Sequence, residues 1–199
     1  MKTVAIVLAA GAASRFGSPK LLAPLRGRPV LQHVLDTLAA AGLDDVVVVL
    51  GEAAPDVEAA IAWRTERRVL NRRPQDGLSS SLRLGLDGAA EDPAADAVLI
   101  VLGDQPALRV DVVADVLTAA GTSPGTARPF VHARHAADGA PNPVLVRRSA
   151  WALAAGIDGD RGLGPLLAGR PELVLAVDVD GANPDIDTPA DLAAAEGTP

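Results

Sequence analysis

Short apolar segments alternate with amphipathic segments along this chain, and each change of period predicts a new element. Six segments are rich in apolar, often β-branched residues and are too short for helices, which is typical of strands in a buried sheet. These predicted strands are Thr3–Ala9, Asp45–Leu50, Arg68–Leu70, Ala97–Leu102, Asn142–Val146 and Leu173–Val177. Other segments space their apolar residues as a helix does. These predicted helices are Val30–Ala41, Pro55–Ala62, Ser79–Leu86, Asp111–Ala120, Ser149–Ala155, Gly164–Ala168 and Pro189–Ala195.

Turn residues mark the ends of the first predicted helix. Pro29 stands at the expected first helical position and Gly42 follows the last one. Proline at the start of a helix and glycine just past its end are the usual pair of signals.

The order of the elements predicts an α/β fold with a mostly parallel sheet, because strands and helices alternate. The chain shows no internal repeat of roughly 20–50 residues and no low-complexity linker, so we expect a single domain over residues 1–199. Ligands of such sheets bind beyond the carboxyl ends of the strands. The candidate residues described next lie mainly in segments that follow predicted strands.

Charge and composition exclude several classes of function. The net charge of −7 argues against a nucleic-acid backbone as the main ligand, and 2% aromatic residues leave few platforms on which single strands could stack. No apolar run reaches the roughly 18 residues of a membrane span. Cysteine is absent, which excludes disulfides and thiolate metal sites and fits a reducing compartment. We therefore expect a cytoplasmic protein that binds neither nucleic acid nor membrane.

The loop after the first predicted strand has the composition of an anion-binding loop. The run Leu8–Lys20 reads LAAGAASRFGSPK. Its small residues let backbone N–H groups approach a phosphate closely, and Arg15 and Lys20 add positive charge. The spacing of Gly11 and Gly17 fits neither the dinucleotide-binding pattern nor the Walker A loop. An ordinary strand-to-helix loop is the alternative interpretation.

This loop resembles the signature L-A-[AG]-G-x-S-x-R-[FM]-G-x-x-K of the MobA-like nucleotidyltransferases, and most closely that of the molybdenum cofactor cytidylyltransferases. The resemblance implies a three-layer, Rossmann-like nucleotidyltransferase fold. It implies that Arg15 and Lys20 hold the triphosphate and act in catalysis. Ala13 stands where serine is usual, with Ser14 beside it. The resemblance further implies nucleotide contacts from Leu8, Ala9, Ala10 and Gly11.

The segment after the third predicted strand supplies the second part of the expected nucleotide site. The three serines at 79–81 fall where a predicted helix begins, so capping of that helix is one explanation for them. The pattern N-x5-G-x-x-S-S-L-x-x-G-L also resembles the nucleotide-side loop of the same family. The resemblance implies nucleotide contacts from Asn71, Gly77, Ser79, Ser80 and Ser81.

Two acidic residues are candidate metal ligands. Asp104 follows the fourth predicted strand in the sequence Gly-Asp-Gln-Pro. A carboxylate there would repel a triphosphate unless a divalent cation lay between them, although a turn aspartate is the alternative. The segment resembles the family's metal-binding element, and Asp185–Leu192 resembles its D-x-D-T-P-x-D-L. The resemblance implies that Asp104, as a catalytic residue, and Asp187 bind Mg²⁺. Thr188–Asp191 is also a good helix start in its own right.

The expected acceptor side carries the weaker resemblance. Residues 159–167 resemble the element G-D-x-G-x-R-x-L-L of the molybdenum cofactor cytidylyltransferases. Residues 141–144 resemble the element G-[HN]-P-V of the same proteins. Gly164 stands where the arginine is usual, and Pro141 where the glycine is usual. The resemblance implies acceptor contacts from Asn142, Pro143, Asp160 and Gly162.

The resemblance as a whole implies an Mg²⁺-dependent nucleotidyltransferase that moves CMP from CTP to a phosphorylated small molecule and releases pyrophosphate. Molybdopterin cofactor is the favoured acceptor. CTP is favoured over GTP because Ala10 precedes Gly11, where relatives that use GTP have two glycines. One alternative is a cytidylyl- or guanylyltransferase that acts on a polyol phosphate or 2-phospholactate. Another is a non-catalytic nucleotide-binding protein that helps a molybdenum enzyme mature and would have a maturation partner.

The histidines suggest no metal site. His132 and His135 could ligate a metal by spacing, but no third ligand is evident, so we interpret them as surface or loop residues. His33 falls in a predicted helix, and we interpret it as structural.

Overall fold

Nine strands and seven α-helices form in the described part of the chain, residues 1–11, 16–17, 19–122, 128–137 and 141–197 of this computed structural model. The strands are β1 Thr3–Ala9, β2 Pro24–Leu25, β3 Arg28–Pro29, β4 Val46–Leu50, β5 Arg67–Leu70, β6 Ala97–Leu102, β7 Phe130–His135, β8 Val144–Arg147 and β9 Val174–Val179. The helices are α1 Val30–Ala40, α2 Ala54–Ala60, α3 Leu78–Ala90, α4 Val110–Gly121, α5 Trp151–Ala155, α6 Gly164–Gly169 and α7 Pro189–Gly197.

Seven of the strands form one sheet in the order β5-β4-β1-β6-β8-β7-β9. Every neighbouring pair is parallel except the two that involve β8, which runs against both β6 and β7. The α/β fold with a mostly parallel sheet is therefore confirmed. The short strands β2 and β3 form a separate antiparallel pair. None of the described helices is long and apolar enough to cross a membrane.

Strand β1 shows why the central strands read as continuous apolar runs. Its successive side chains enter opposite layers: Val4 and Ile6 belong to the core on the α3 side, whereas Ala5 and Val7 belong to the core on the α1 side. All four are fully buried. A strand covered on both faces cannot alternate with polar residues, because each buried apolar side chain contributes roughly 1.5–3 kcal/mol.

The strand order reverses beside β1, and this reversal places the site. Strand β4 pairs with one edge of β1 and β6 with the other, in a register that puts Leu8 opposite Leu102. The N–H of Gly103 donates to the carbonyl of Leu8 at 2.9 Å. The loop after β1 and the Gly-Asp-Gln-Pro segment after β6 therefore leave the sheet side by side, at the crevice where such folds bind ligands.

A small third core brings the segment before α7 to the same crevice. Ile186 is 1% exposed and packs with Leu25 and Val30 of the β2–α1 region. Its N–H donates to the carbonyl of Asp104 at 2.9 Å. The two acidic residues that flank Ile186 are thereby held next to the end of β6.

Strand β7 forms where the sequence pattern predicts no strand, and it contains the two histidines that the sequence pattern suggests are surface or loop residues. Polar residues interrupt its apolar pattern, yet it lies inside the sheet between β8 and β9. His132 and His135 are 9% and 4% exposed, so their interpretation as surface or loop residues was wrong. Nε2 of His135 lies 2.8 Å from the carbonyl of Asn142. His33 contacts the carbonyl of Leu25 through Nε2 at 2.8 Å, in keeping with a structural role.

Helix boundaries differ from the prediction in two informative places. Helix α1 begins at Val30 as predicted, but Pro29 belongs to β3 and stands at the N-cap and not at the first helical position. Helix α3 continues to Ala90 although it contains two glycines. A Cβ at Gly85 would lie 2.4 Å from Cγ2 of Ile6, so this glycine allows the helix to pack closely on β1. Close packing here outweighs the low helix propensity of glycine.

Candidate active site

A cavity of about 660 Å³ lies at the carboxyl ends of β1 and β6. This volume is in the usual range for small-molecule sites. Its walls come from the loop after β1, the segment before α3 and the start of that helix, the segment after β6, and the segments before α6 and α7. The predicted site residues that line it are Leu8, Ala10, Gly11, Lys20, Gly77, Ser81, Asp104, Asp160 and Asp187. Ala9 lines an adjoining cavity of about 490 Å³ that shares Ala10, Gly11 and Lys20 with the first.

One lysine joins the two predicted metal ligands at this cavity. Nζ of Lys20 lies 2.6 Å from Oδ2 of Asp104 and 2.7 Å from Oδ1 of Asp187. Lys20 begins a 3-10 helix directly after the first loop and is only 8% exposed. Three charged side chains from three distant parts of the chain therefore meet at one point.

The charge state of Lys20 follows from these neighbours. Burial of the ammonium opposes its charged form, but the negative charges and hydrogen bonds of Asp104 and Asp187 outweigh burial and raise the pKa of Lys20. The site thus keeps a cation between two carboxylates at neutral pH.

Asp185 is a member of the site that sequence reasoning did not assign. Its Oδ1 accepts a hydrogen bond from Nε2 of Gln105 at 2.7 Å, and Oε1 of Gln105 accepts one from Nδ2 of Asn183 at 3.2 Å. Burial, followed by the negative charges of Asp104 and Asp187, raises the pKa of Asp185. The Asp-Ile-Asp pattern carries the signal, because Ile186 is buried in the small third core while Asp185 and Asp187 on either side of it both line the cavity.

A reciprocal cap fixes the backbone around Asp187. Oδ2 of Asp191 accepts hydrogen bonds from the N–H of Asp187 at 3.1 Å and from the N–H of Thr188 at 2.7 Å. Oγ1 of Thr188 accepts in turn from the N–H of Asp191 at 3.3 Å. This is the capping arrangement that the Thr-Pro-x-Asp pattern predicts at the start of α7, and it orients the carboxylate of Asp187.

The second predicted loop divides into wall residues and supporting residues. Gly77 and Ser81 line the 660 Å³ cavity. Asn71 is 3% exposed, and its Nδ2 donates to Oγ of Ser80 at 2.8 Å and to Oγ of Ser81 at 2.9 Å. Ser79 is 1% exposed. The structure thus places Asn71, Ser79 and Ser80 behind the cavity wall.

The serines do not cap α3 in the expected way. The residue at the cap position is Gly77, and it makes no side-chain cap. Oγ of Ser80 donates back to the carbonyl of Gly77 at 2.8 Å. Capping comes from a distant segment instead, because Oδ1 of Asp160 accepts from the N–H of Leu78 at 3.1 Å.

Three of the four predicted acceptor residues line a smaller cavity of about 270 Å³ that adjoins the first. Asn142 and Gly162 line it, and Asp160 borders both cavities. Pro143, which follows a cis peptide bond, does not line either one in the described part of the chain. Half of its fourteen lining residues are aliphatic, whereas Asn142, Asp160, Arg161 and Asp185 are polar; the aliphatic residues are Leu8, Leu78, Leu82, Ile100, Leu102, Val144 and Leu163.

Arg15 lies outside the described residues, together with Ala13 and Ser14. Among the residues that the structure describes, no three His, Cys, Asp or Glu side chains are grouped as a metal site. Mg²⁺ commonly binds one or two carboxylates and completes its coordination with water and substrate oxygens.

Comparisons with known proteins identify the family of this chain. Residues 5–176 match the family described as MobA-like NTP transferase domain. Nicotine blue oxidoreductase of Paenarthrobacter nicotinovorans is 32% identical over 195 residues, which cover 92% of this chain and 91% of that protein.

Solved structures also resemble this chain, over nearly its whole length. Rv0371c from Mycobacterium tuberculosis H37Rv superposes with a TM-score of 0.88 at 31% identity, over 99% of this chain and 98% of that one. A second structure of Rv0371c, described as a complex with manganese, has a TM-score of 0.84 at 30% identity and covers 100% of both chains. A nucleotidyl transferase from Methanothermobacter has a TM-score of 0.79 at 26% identity, over 97% of this chain and 95% of that one. The chain belongs to the family of MobA-like NTP transferase domains and is a nucleotidyltransferase of that family.

Proposed function

We propose that this protein transfers CMP from CTP to a phosphorylated small molecule, with release of pyrophosphate. The observation that carries the proposal is the meeting of Lys20, Asp104 and Asp187 at the carboxyl ends of β1 and β6. A cation and two carboxylates beside a small-residue loop suit a triphosphate and its counter-ion. The triphosphate would lie along Gly11 and Lys20, with Arg15 as a further cation from the first loop.

The residues present fit a divalent metal ion. Asp104 and Asp187 direct carboxylate oxygens at one point, because both lie within 2.7 Å of the same ammonium nitrogen. Hard oxygen ligands of this kind suit Mg²⁺, which commonly binds one or two carboxylates together with substrate phosphates. When bound there, Mg²⁺ would neutralise phosphate charge and polarise phosphoryl oxygens. A solved structure of the similar protein Rv0371c is described as a complex with manganese, which supports the use of a divalent metal by this chain.

The reaction requires little from the protein beyond position and charge. An acceptor phosphate oxygen is already an anion, so it attacks the α-phosphorus without a protein base, and pyrophosphate leaves in line with it. Lys20 stabilises the negative charge that grows on the phosphate oxygens. A compact ammonium can reach a single oxygen where a flat guanidinium would not fit, which explains a lysine in an arginine-rich chain.

The cavities of about 660 Å³ and 270 Å³ adjoin each other and suggest where each of the two substrates binds. The larger cavity, with Gly77 and Ser81 in its wall, takes the nucleotide. The smaller cavity takes the body of the acceptor, whose phosphate then points at Asp104. The smaller cavity combines an apolar wall with the polar side chains of Asn142, Asp160, Arg161 and Asp185, which suits a flat ring with hydrogen-bonding edges, such as the pterin of molybdopterin.

The proposal is tested with CTP or GTP that carries a label on its α-phosphate, by measuring transfer of that label to an acceptor. Each nucleotide is incubated with Mg²⁺ and with molybdopterin, a polyol phosphate or 2-phospholactate in turn. We expect label transfer and equimolar pyrophosphate with CTP and molybdopterin. Nucleotide binding without pyrophosphate release for any acceptor would contradict the proposal and favour a non-catalytic role in the maturation of a molybdenum enzyme. Redox turnover of the kind that the name of the P. nicotinovorans relative suggests, again without pyrophosphate, would also contradict it.

A further inference from the structure

The connection between α5 and α6, residues 156–163, is anchored to α3 by an arginine that lies outside the cavities. Arg83 of α3 donates through Nε to the carbonyl of Ala155 at 2.9 Å and through Nη2 to the carbonyl of Ile157 at 2.7 Å. The same Nη2 forms an ion pair with Asp158. One guanidinium thus holds the end of α5 and the first residues of the connection.

The rest of the connection rests on the first turn of α3. The N–H of Ser79 donates to the carbonyl of Gly159 at 3.1 Å, and the N–H of Leu78 donates to Oδ1 of Asp160. The backbones are in close contact, because a Cβ at Gly77 would lie 2.7 Å from the carbonyl carbon of Gly159. Two N–H groups that a helix start leaves unpaired are therefore satisfied by the connection.

This anchored segment forms one wall of the proposed acceptor site. Residues 160–164 line the 270 Å³ cavity, and Gly159 and Asp160 also border the 660 Å³ cavity. Four of the nine residues from Gly156 to Gly164 are glycines, so the backbone has many accessible conformations without external support. Its placement depends on the bonds to α3.

We propose that Arg83 is a positioning residue for the acceptor. It holds the connection on α3, fixes the wall of the smaller cavity, and keeps that wall in register with Gly77 and Ser81 of the nucleotide cavity. The proposal rests on the proposed function for its kinetic consequence, but the anchoring itself is independent of catalysis.

The test compares Arg83→Met with the matched control Arg67→Met. Each arginine connects α3 to another segment through hydrogen bonds and an ion pair, and the side chains of Arg83 and Arg67 are 41% and 36% exposed. Arg67 contacts the opposite end of that helix, where it donates to the carbonyl of Gly88 at 2.7 Å. Methionine keeps an apolar stem in both variants. Arg83→Lys keeps the charge and one flexible donor group.

Hydrogen exchange of the Leu78 and Ser79 amides reports the anchoring directly. We expect Arg83→Met to speed their exchange by roughly 10-fold, whereas Arg67→Met leaves it unchanged and Arg83→Lys is intermediate. Full protection in Arg83→Met would overturn the proposal. Because this readout needs no turnover, a wild-type protein without pyrophosphate release would contradict the proposed function and leave the anchoring test valid.

Kinetics with the accepted acceptor give the functional arm. We expect Arg83→Met to raise KM for the acceptor by about 10-fold or more, because a small misplacement of a substrate is costly. The dissociation constant for CTP, measured without acceptor, should stay within about twofold, and Arg83→Lys should recover part of the loss. An acceptor KM equal to that of Arg67→Met would overturn the positioning role.

Discussion

The ammonium of Lys20 lies 2.6 Å from the carboxylate of Asp104, although 83 residues separate them in the chain. With Asp187 at 2.7 Å on the other side, the lysine lies where both carboxylates direct an oxygen. In the proposed reaction the same oxygens would bind Mg²⁺, so the lysine and the metal compete for them. Binding of Mg²⁺ and nucleotide would turn the Lys20 ammonium away from the carboxylates and toward the triphosphate.

This competition predicts the behaviour of Lys20→Met. Without the ammonium, Asp104 and Asp187 lose the cation that lies between them, which we expect to lower stability by on the order of 2 kcal/mol. Added Mg²⁺ should then stabilise the variant more than the wild type, because no cation has to leave first. Thermal unfolding with and without Mg²⁺ measures both effects. An equal shift in Tm on Mg²⁺ addition for the two proteins would argue against competition.

The raised pKa of Asp185 predicts that replacing its carboxyl group stabilises the protein, by an amount that depends on pH. Its pKa is raised in the folded state, so the unfolded chain ionises first as pH increases, and the wild type loses stability from about pH 4 up to the raised pKa. Asp185→Asn removes that cost and keeps an oxygen to accept from Gln105. We expect a higher Tm than wild type at pH 7, by about 2–4 °C for each 1 kcal/mol recovered, and a smaller difference near pH 4.

The control for this prediction is Asp87→Asn, which changes an exposed carboxylate on α3. Its Tm should follow the wild type across the same pH range. A Tm difference for Asp185→Asn that is constant from pH 4 to 7 would contradict the electrostatic explanation.

Replacement of Asp160 by asparagine and by alanine is expected to have different effects on stability. Asparagine retains an oxygen for the N–H of Leu78, whereas alanine removes it. Loss of such a cap typically costs about 1 kcal/mol, so Asp160→Ala should unfold at a lower urea concentration and Asp160→Asn should match the wild type. We also expect an acceptor KM within about twofold of the wild type for Asp160→Asn. A stable Asp160→Asn variant with a greatly raised acceptor KM would instead indicate a direct contact between the carboxylate and the acceptor.

The methyl group of Ala10 is expected to contribute to the preference for CTP over GTP. It is 5% exposed and lines both the 660 Å³ and the 490 Å³ cavities, so its methyl group limits the space beside the loop. A steric difference of this size is worth roughly 1–3 kcal/mol, or about 10–200-fold. We expect kcat/KM to be higher for CTP than for GTP, and Ala10→Gly to narrow the ratio. Equal or better use of GTP by the wild type would contradict the cytidylyl assignment and leave nucleotidyl transfer standing.

The sequence predicts the central strands and the crevice because local patterns encode them. Strands β1 and β6 are apolar throughout since helices cover both faces, and the small residues and acids that follow them mark the ligand side of the sheet. Strand β7 escaped prediction because two histidines and an arginine interrupt its apolar pattern. Burial of those histidines depends on β8 and β9, which local sequence does not show.

Long-range contacts explain what the sequence could not supply at the site. The bond from Asp160 to the first turn of α3 joins positions 82 residues apart. The contact of Lys20 with Asp187 spans 167 residues. Ser79 matches the family pattern, but its 1% exposure follows from how α3 packs. Residue types predicted the chemistry of the cavity, whereas the fold decides which of them form its wall.

The most direct test of nucleotidyl transfer at this site is Mg²⁺-dependent pyrophosphate release from CTP by Asp104→Asn, measured beside the wild type with the acceptor found in the screen. Asparagine keeps the size of the side chain and an oxygen for Lys20, so an unchanged Tm would verify folding. The account predicts a loss of turnover of about 100-fold or more, in the range reported for removal of one group that stabilises transition-state charge. A folded Asp104→Asn protein that keeps more than about a tenth of the wild-type rate at saturating Mg²⁺ would contradict it.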